Sequence, residues 1–307
     1  MALSQLWVDK YRPKRIDEYV FKDTHQKQQI LKWIKEKSIP NLLFTGIQGT
    51  GKTTLANVLF NELEINPHDI LELNASRTNS IDDVRTTITN FVQTIPFGDY
   101  KVVLLDEFDY FSIPGQAALR GLIEEYQAFA RFVFTANFSN KILPAIHSRC
   151  QGFHIDALDI VEYTAKVAEI LIAENIEFDL DTLDNFVKAA YPDLRKCINS
   201  LQLNCIEGTL TVPDVHQSSA DYRLKMVSLF KAGKINEARK LICSQIRSDE
   251  FDELYRWLYS NIELFGKTEE LQENAILIIK QGLVDHALVI DPEINLAAVL
   301  IRLARNV

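Results

Sequence analysis

Residues 46–53 read Gly46-Ile47-Gln48-Gly49-Thr50-Gly51-Lys52-Thr53, which fits the pattern G-x-x-x-x-G-K-[ST]. The stretch follows an apolar run, Asn41–Thr45 (NLLFT), and precedes apolar residues at helical spacing, Leu55, Ala56, Val58, Leu59 and Leu63. A strand, a glycine loop and a helix in that order make a phosphate cradle. Glycines let successive backbone N–H groups curl round phosphate oxygens, and the helix N-terminus adds its positive dipole end. Lys52 supplies a mobile cation for the β and γ phosphates, and Thr53 a hydroxyl for Mg²⁺. The loop therefore demands an α/β framework around it.

The rest of the first half supplies that framework. Ile70–Asn74, Lys101–Asp106, Arg131–Ala136 and Gly152–Ile155 read as further strands beside Asn41–Thr45. Runs such as Val102-Val103-Leu104-Leu105 suit strands covered on both faces, as in a parallel sheet with crossover helices. Thr53–Leu63 and Gln116–Tyr126 are predicted helices. After residue 156 strands become scarce. Val161–Asn175 and Leu180–Ala190 read as amphipathic helices, with Asp179 and Asp181 as N-cap options for the second. A third helix begins at Pro192-Asp193 and runs to about Cys205, and Thr209–Pro213 reads as a break. Helical patterns then fall at 221–231, 235–246, 250–264, 268–286 and 291–305. The expected division is an α/β core over 1–155, a helical lid over 156–215 and an all-helical C-terminal domain over 216–307.

Chemistry is expected where strands end. Asp106, closing Lys101–Asp106, would hold Mg²⁺ directly or through water, and Glu107 would polarise an attacking water. Two acids at a strand end also suit simple entry into solvent, but an acid beside the metal acid separates water-activating ATPases from nucleotide kinases. No N-K-x-D guanine signature is present, since Asn140-Lys141 is followed by Ile-Leu. Asn137, ending the fourth strand, is a candidate to hold the attacking water or read the γ-phosphate; a strand-end Asn is also a common turn former. Arg149 is a candidate arginine finger for a neighbouring subunit's nucleotide, a device that changes rates by roughly 10³–10⁵, or else a surface Arg. Arg195 lies at a helix start, where a cation opposes the helix dipole, so a nearby anion or solvent must compensate it.

The motifs together resemble the AAA+ sliding-clamp loader ATPases, namely the small subunits of replication factor C and, in length and economy, the clamp loader large subunit of T-even-type tailed phages. The matching segments are Trp7-Val8-Asp9-Lys10-Tyr11-Arg12-Pro13, the phosphate loop, Leu105-Asp106-Glu107-Phe108-Asp109, Gln116-Ala117-Ala118-Leu119-Arg120, Thr135-Ala136-Asn137, Ser148-Arg149-Cys150 and Asp193-Leu194-Arg195-Lys196. The resemblance implies a five-stranded parallel core, the lid and a C-terminal collar. It also implies a base pocket at Val8, Asp9, Lys10, Tyr11 and Val20. Phosphate contacts would come from Gly46, Gln48, Gly49, Thr50, Gly51, Lys52, Thr53 and Thr54, with Arg195 added from the lid. Mg²⁺ would lie at Thr53 and Asp106, and Lys52, Glu107, Asn137 and Arg149 would be catalytic. Partners implied are a sliding clamp, other subunits in a pentameric ring, and primer–template DNA. Arg77, Asn79, Ser80, Arg120 and Lys141 are the candidate DNA contacts. Relatives often carry a basic residue just before the position of Ile81, and here the stretch is Arg77-Thr78-Asn79-Ser80.

Composition bounds these readings. The net charge of −9 at first argues against DNA, yet residues 1–155 hold 17 basic and 17 acidic side chains. Residues 156–215 hold 4 basic and 12 acidic side chains, so nearly all the excess sits in the expected lid and the core is neutral. The cysteines, Cys150, Cys197, Cys205 and Cys243, form no C-x-x-C pair, which disfavours zinc and a disulfide scaffold. No run of 18 apolar residues and no basic-then-apolar leader occurs, so no membrane partner is expected and the expected compartment is the cytoplasm, the host's if phage-encoded. The rival expectations are a non-hydrolysing subunit of the same machine, or another DNA-linked AAA+ ATPase such as a helicase loader or branch-migration motor.

Overall fold

The computed structural model describes residues 6–75, 81–211, 222–245, 251–266, 268–286 and 288–306. The chain divides into two compact units, Met1–Tyr163 with Pro192–Lys196, and Thr164–Tyr191 with Cys197–Val307.

The first unit is built on a parallel sheet of β1 (Leu42–Thr45), β2 (Ile70–Asn74), β3 (Lys101–Asp106), β4 (Ala130–Ala136) and β5 (Gln151–His154), in the order β2-β3-β4-β1-β5. All five expected strands form, each within two residues of its predicted ends. Strand alternation sorts the core into two layers. Leu42, Phe44, Val102, Leu104 and Val133 join Leu55, Leu59 and Phe60 of the helix Lys52–Glu62 and Trp33 of the helix Thr24–Glu36. Leu43, Val103, Leu105, Phe132 and Phe134 face the other way, with Leu119, Leu122 and Ile123 of Ile113–Tyr126 and Ile88 and Val92 of Ile81–Val92. Covered on both faces, these strands need no polar alternation, which is why they read as continuous apolar runs.

The order of strands fixes the site. β1 lies between β4 and β5 while its chain continues to the far edge strand β2. In such open sheets ligands bind outside the carboxyl ends of strands where the order reverses. Gly46, Asp106 and Asn137 follow or close β1, β3 and β4 at that edge. The β1–β4 register sets Thr45 beside Ala136, and the β3–β4 register sets Leu105 beside Phe134, so Asp106 reaches the Thr135 side chain.

The second unit is helical. Leu180–Ala190 opens with Asp179, whose carboxylate accepts from Thr182 N–H at 2.8 Å. Leu194–Asn204 ends in a short antiparallel pair, Cys205–Ile206 with Thr209–Leu210. The stretch read as a break at Thr209–Pro213 is thus a hairpin strand at its start, because the intervening Gly208 turns at φ 82°. Tyr222–Lys231, Ile235–Gln245, Phe251–Ser260, Glu269–His286 and Pro292–Asn306 follow. Gly282 and Val299 let the last two pack closely: a Cβ on Gly282 would lie 2.4 Å from Val299 Cγ2. Buried Asn295 donates to Tyr255 Oη and to the Gly282 carbonyl, both at 2.9 Å. No helix among the described residues is long and apolar enough to cross a membrane.

Candidate active site

The phosphate loop adopts the backbone its glycines allow. Gly46, Gly49 and Gly51 have φ of 149°, 80° and 89°, values that L-residues rarely tolerate. Gly46 also abuts the Ile155 carbonyl, 2.2 Å from where a Cβ would stand, and Gly51 faces the Tyr19 ring at 3.3 Å. Lys52 is buried and closes the loop, donating to the carbonyls of Gly46 at 2.8 Å and Ile47 at 2.7 Å. Burial lowers its pKa to about 8; Asp109, Asp106 and Asp193 hold it up against that effect, and Arg195 pushes it down further.

One hydroxyl cluster joins two strand ends and the loop. Thr53 Oγ1 donates to Asp106 Oδ1 at 2.7 Å, and Thr135 Oγ1 donates to the same oxygen. Thr135 Oγ1 in turn accepts from the Glu107 N–H at 3.1 Å. Glu107 has φ 55°, a left-handed backbone held by that bond. For a non-glycine residue this conformation costs on the order of 1–3 kcal/mol and concentrates at functional sites. It turns the chain out of β3 immediately after Asp106. Thr53 and Asp106 offer hard oxygen donors of the kind Mg²⁺ takes, usually alongside water and phosphate.

Asp109 and Thr135 are members that the motif reading does not single out. Asp109 is buried; its Oδ1 accepts from the Asn137 N–H at 3.1 Å, while its Oδ2 has no partner among the described residues. Asp109 thereby ties the end of β4 to the turn after β3. Arg12 is a second addition: its Nε donates to Thr54 Oγ1 at 3.3 Å, fastening the N-terminal segment to the loop helix. Tyr19 Oη lies 3.5 Å from the Thr50 carbonyl, and Tyr19, Val20, Phe21, Thr50, Leu55 and Ile155 help line a shallow, open depression beside the loop.

The remaining candidates fall in other places. Trp7–Lys10 is a short helical turn in which the N–H groups of Asp9, Lys10 and Tyr11 donate to the carbonyls of Leu6 and Trp7. Of the expected base-reading segment, three N–H groups are therefore engaged within the turn. Gln48 is exposed on the loop. Arg149 stands apart from the Lys52 cluster, paired with Glu124 and donating to the Ala145 carbonyl at 2.8 Å; its hydrogen bond lowers the pKa of Glu124. Arg195 is exposed and Asp193, two residues earlier, packs on Gly49. Arg120 is exposed on Ile113–Tyr126, and exposed Lys141 lies 4.5 Å from the Phe138 ring centroid. Arg77, Asn79 and Ser80 lie outside the described residues. No group of three or more His, Cys, Asp or Glu suited to a metal occurs among the described residues.

Comparison with known proteins agrees with this arrangement. The family described as "ATPase family associated with various cellular activities (AAA)" matches residues 42–155. A replication factor C small subunit of Staphylothermus marinus is 34% identical over 97% of this chain and 94% of its own length. One from Sulfolobus acidocaldarius is 34% identical over 97% of this chain and 95% of its own, and one from Methanocella arvoryzae 32% over 84% and 85%. Among solved structures, the RuvB Holliday junction branch migration motor of Thermotoga maritima matches with TM-score 0.56 and 18% identity, over 81% of this chain and 90% of that one. That likeness is one of fold. The sheet order, the loop and the breadth of sequence identity place the chain: it belongs to the replication factor C small subunit family of AAA ATPases.

Proposed function

We propose that this chain is the ATPase subunit of a DNA polymerase sliding-clamp loader. ATP binding opens the clamp and places it on primer–template DNA, and hydrolysis releases it. The observation that carries the reading is the junction at Asp106, where Thr53 from the loop and Thr135 from β4 meet one carboxylate oxygen and Thr135 also holds Glu107. This couples a nucleotide loop to a poised acid, as water-activating hydrolysis requires.

In this reading Lys52 binds the β and γ phosphates and Glu107 takes the proton of the attacking water. Asn137 orients that water, and Arg195 binds the γ-phosphate. Thr53 and Asp106 would hold Mg²⁺, which when bound neutralises charge on the phosphates. The base would rest near Val20. Arg149 would act on a neighbour's nucleotide, with Glu124 as its resting partner. The lid over 156–215, the collar over 216–307 and a five-subunit ring complete the proposal, as do Arg120 and Lys141 as DNA contacts. The compartment would be the cytoplasm, of a host cell if the protein is of phage origin. The motor named among the fold relatives suggests branch migration as a rival, but at 18% identity it speaks for the fold alone.

The test is steady-state ATPase activity of the assembled complex with and without primed DNA and clamp. Stimulation by both together is expected. An ATPase indifferent to the clamp but driven by branched DNA would favour the rival reading.

A further inference from the structure

Five residues, Pro192–Lys196, pack with the sheet unit although the chain on either side belongs to the helical unit. They carry Arg195; two contacts fix where they sit, and a cap within the segment sets its turn. Asp193 presses on the phosphate loop so closely that a Cβ on Gly49 would lie 2.2 Å from Asp193 Oδ1 and 2.8 Å from Asp193 Cα. Only a glycine admits this approach, and the contact reaches the backbone. Asp193 Oδ1 accepts from the Lys196 N–H at 3.0 Å, which makes Asp193 the cap of the helix Leu194–Asn204. Tyr163, buried at 1% exposure, donates its hydroxyl to the Asp193 carbonyl at 3.0 Å.

The geometry points to Asp193 as a positioning residue that seats this arm on Gly49 and so holds Arg195 at the phosphate loop, with Tyr163 as its tether. The inference rests on the proposed role of Arg195 as the γ-phosphate contact. It explains why a cation is placed in a first helical turn, where the dipole opposes it. The cap at Asp193 fixes the turn that carries this cation, and both side chains lie close enough to Lys52 for their charges to be felt there with opposite sign. A long, rotamer-rich Arg on an untethered arm would lose its orientation before it met a phosphate, whereas a capped and tethered one does not.

The test is a double-mutant cycle on the full chain, with affinities for ADP and for the slowly hydrolysed analogue ATPγS measured by calorimetry. Arg195→Ala is expected to lower the preference for the triphosphate about tenfold, the scale of a hydrogen bond to a charged group. Asp193→Ala should lower it similarly, and Asp193→Ala with Arg195→Ala should be no worse than Arg195→Ala alone. Asp193→Asn should restore the preference, because Asn caps as well as Asp. Tyr163→Phe should show a smaller loss of the same kind. Additive losses, an unaffected Asp193→Ala, or an Asp193→Asn as impaired as the alanine variant would each overturn the positioning role while leaving Arg195 intact. An Arg195→Ala that keeps the preference would instead remove the role of Arg195, and this inference with it.

Discussion

Lys52 is a buried ammonium whose two carbonyl partners belong to the loop that it closes. With its pKa lowered to about 8, chiefly by burial, it loses its proton in the free protein as pH rises past that value. ATP affinity should therefore fall above pH 8, by up to about tenfold per pH unit, as titration calorimetry from pH 7 to 9.5 would show. Stability should move oppositely. Between about 8 and the ordinary 10.5 the unfolded chain binds the proton more tightly, so this group's contribution to stability rises with pH. Glu107→Gln should bind ATP but lose turnover by about 10²–10⁴-fold, the usual worth of a general base. Normal hydrolysis by that variant would remove Glu107 from the mechanism. Thr135→Val should leave ATP affinity nearly intact and lower kcat, since its hydroxyl serves both Asp106 and the Glu107 N–H. Neither Thr135 nor Asp109 stands out in the sequence as an active-site residue. Their roles depend on parallel pairing between β3 and β4 and on a turn that follows, which spacing along the chain does not express.

Elements that read clearly are those whose burial is uniform. β1, β3 and β4 are legible because each is apolar and buried along most of its length, and the phosphate-loop helix is legible from its own apolar spacing. Two helices of the sheet unit, Thr24–Glu36 and Ile81–Val92, are left unassigned by the sequence reading. The first buries only Ile30 and Trp33 among lysines and glutamines. The second carries Thr86-Thr87-Ile88-Thr89, a β-branched run of poor helix propensity that packing of Ile88 and Val92 overrides. Gln116 shows how one helix locks to its surroundings. Its side chain is 1% exposed and donates to the carbonyls of Phe111 and Lys141 while accepting from the Leu143 N–H. Gln116→Leu should destabilise by about 3 kcal/mol, because buried backbone groups lose their partners. A lowered urea midpoint at unchanged slope is the expected signature.

At the scale of the whole molecule, a perturbation made inside one compact unit should stay in that unit. Gly282→Ala would drive a Cβ into Val299 and the Tyr255 ring, costing about 1–3 kcal/mol as overpacking does. Amide exchange should quicken in 269–306 and remain unchanged in the sheet strands. At the level of assembly, Arg149→Ala should retain ATP affinity in its own site and lose rate in the complex, about 10³-fold or more for a trans finger. Unaltered turnover of the assembled variant would leave Arg149 as no more than the partner of Glu124.

By itself the sequence determined the loop, the strand ends that face it and the helical character of the second half. Each is written in a local pattern: glycines where φ must be positive, apolar runs where both faces are covered, and 3.6-residue spacing where one face is. Only the tertiary structure decided which groups share one oxygen of Asp106, that Asp109 holds Asn137, and that Asp193 lies on Gly49. Those contacts join residues 28 to 144 positions apart. Their geometry comes from strand register and close backbone approach, which no short window of sequence contains.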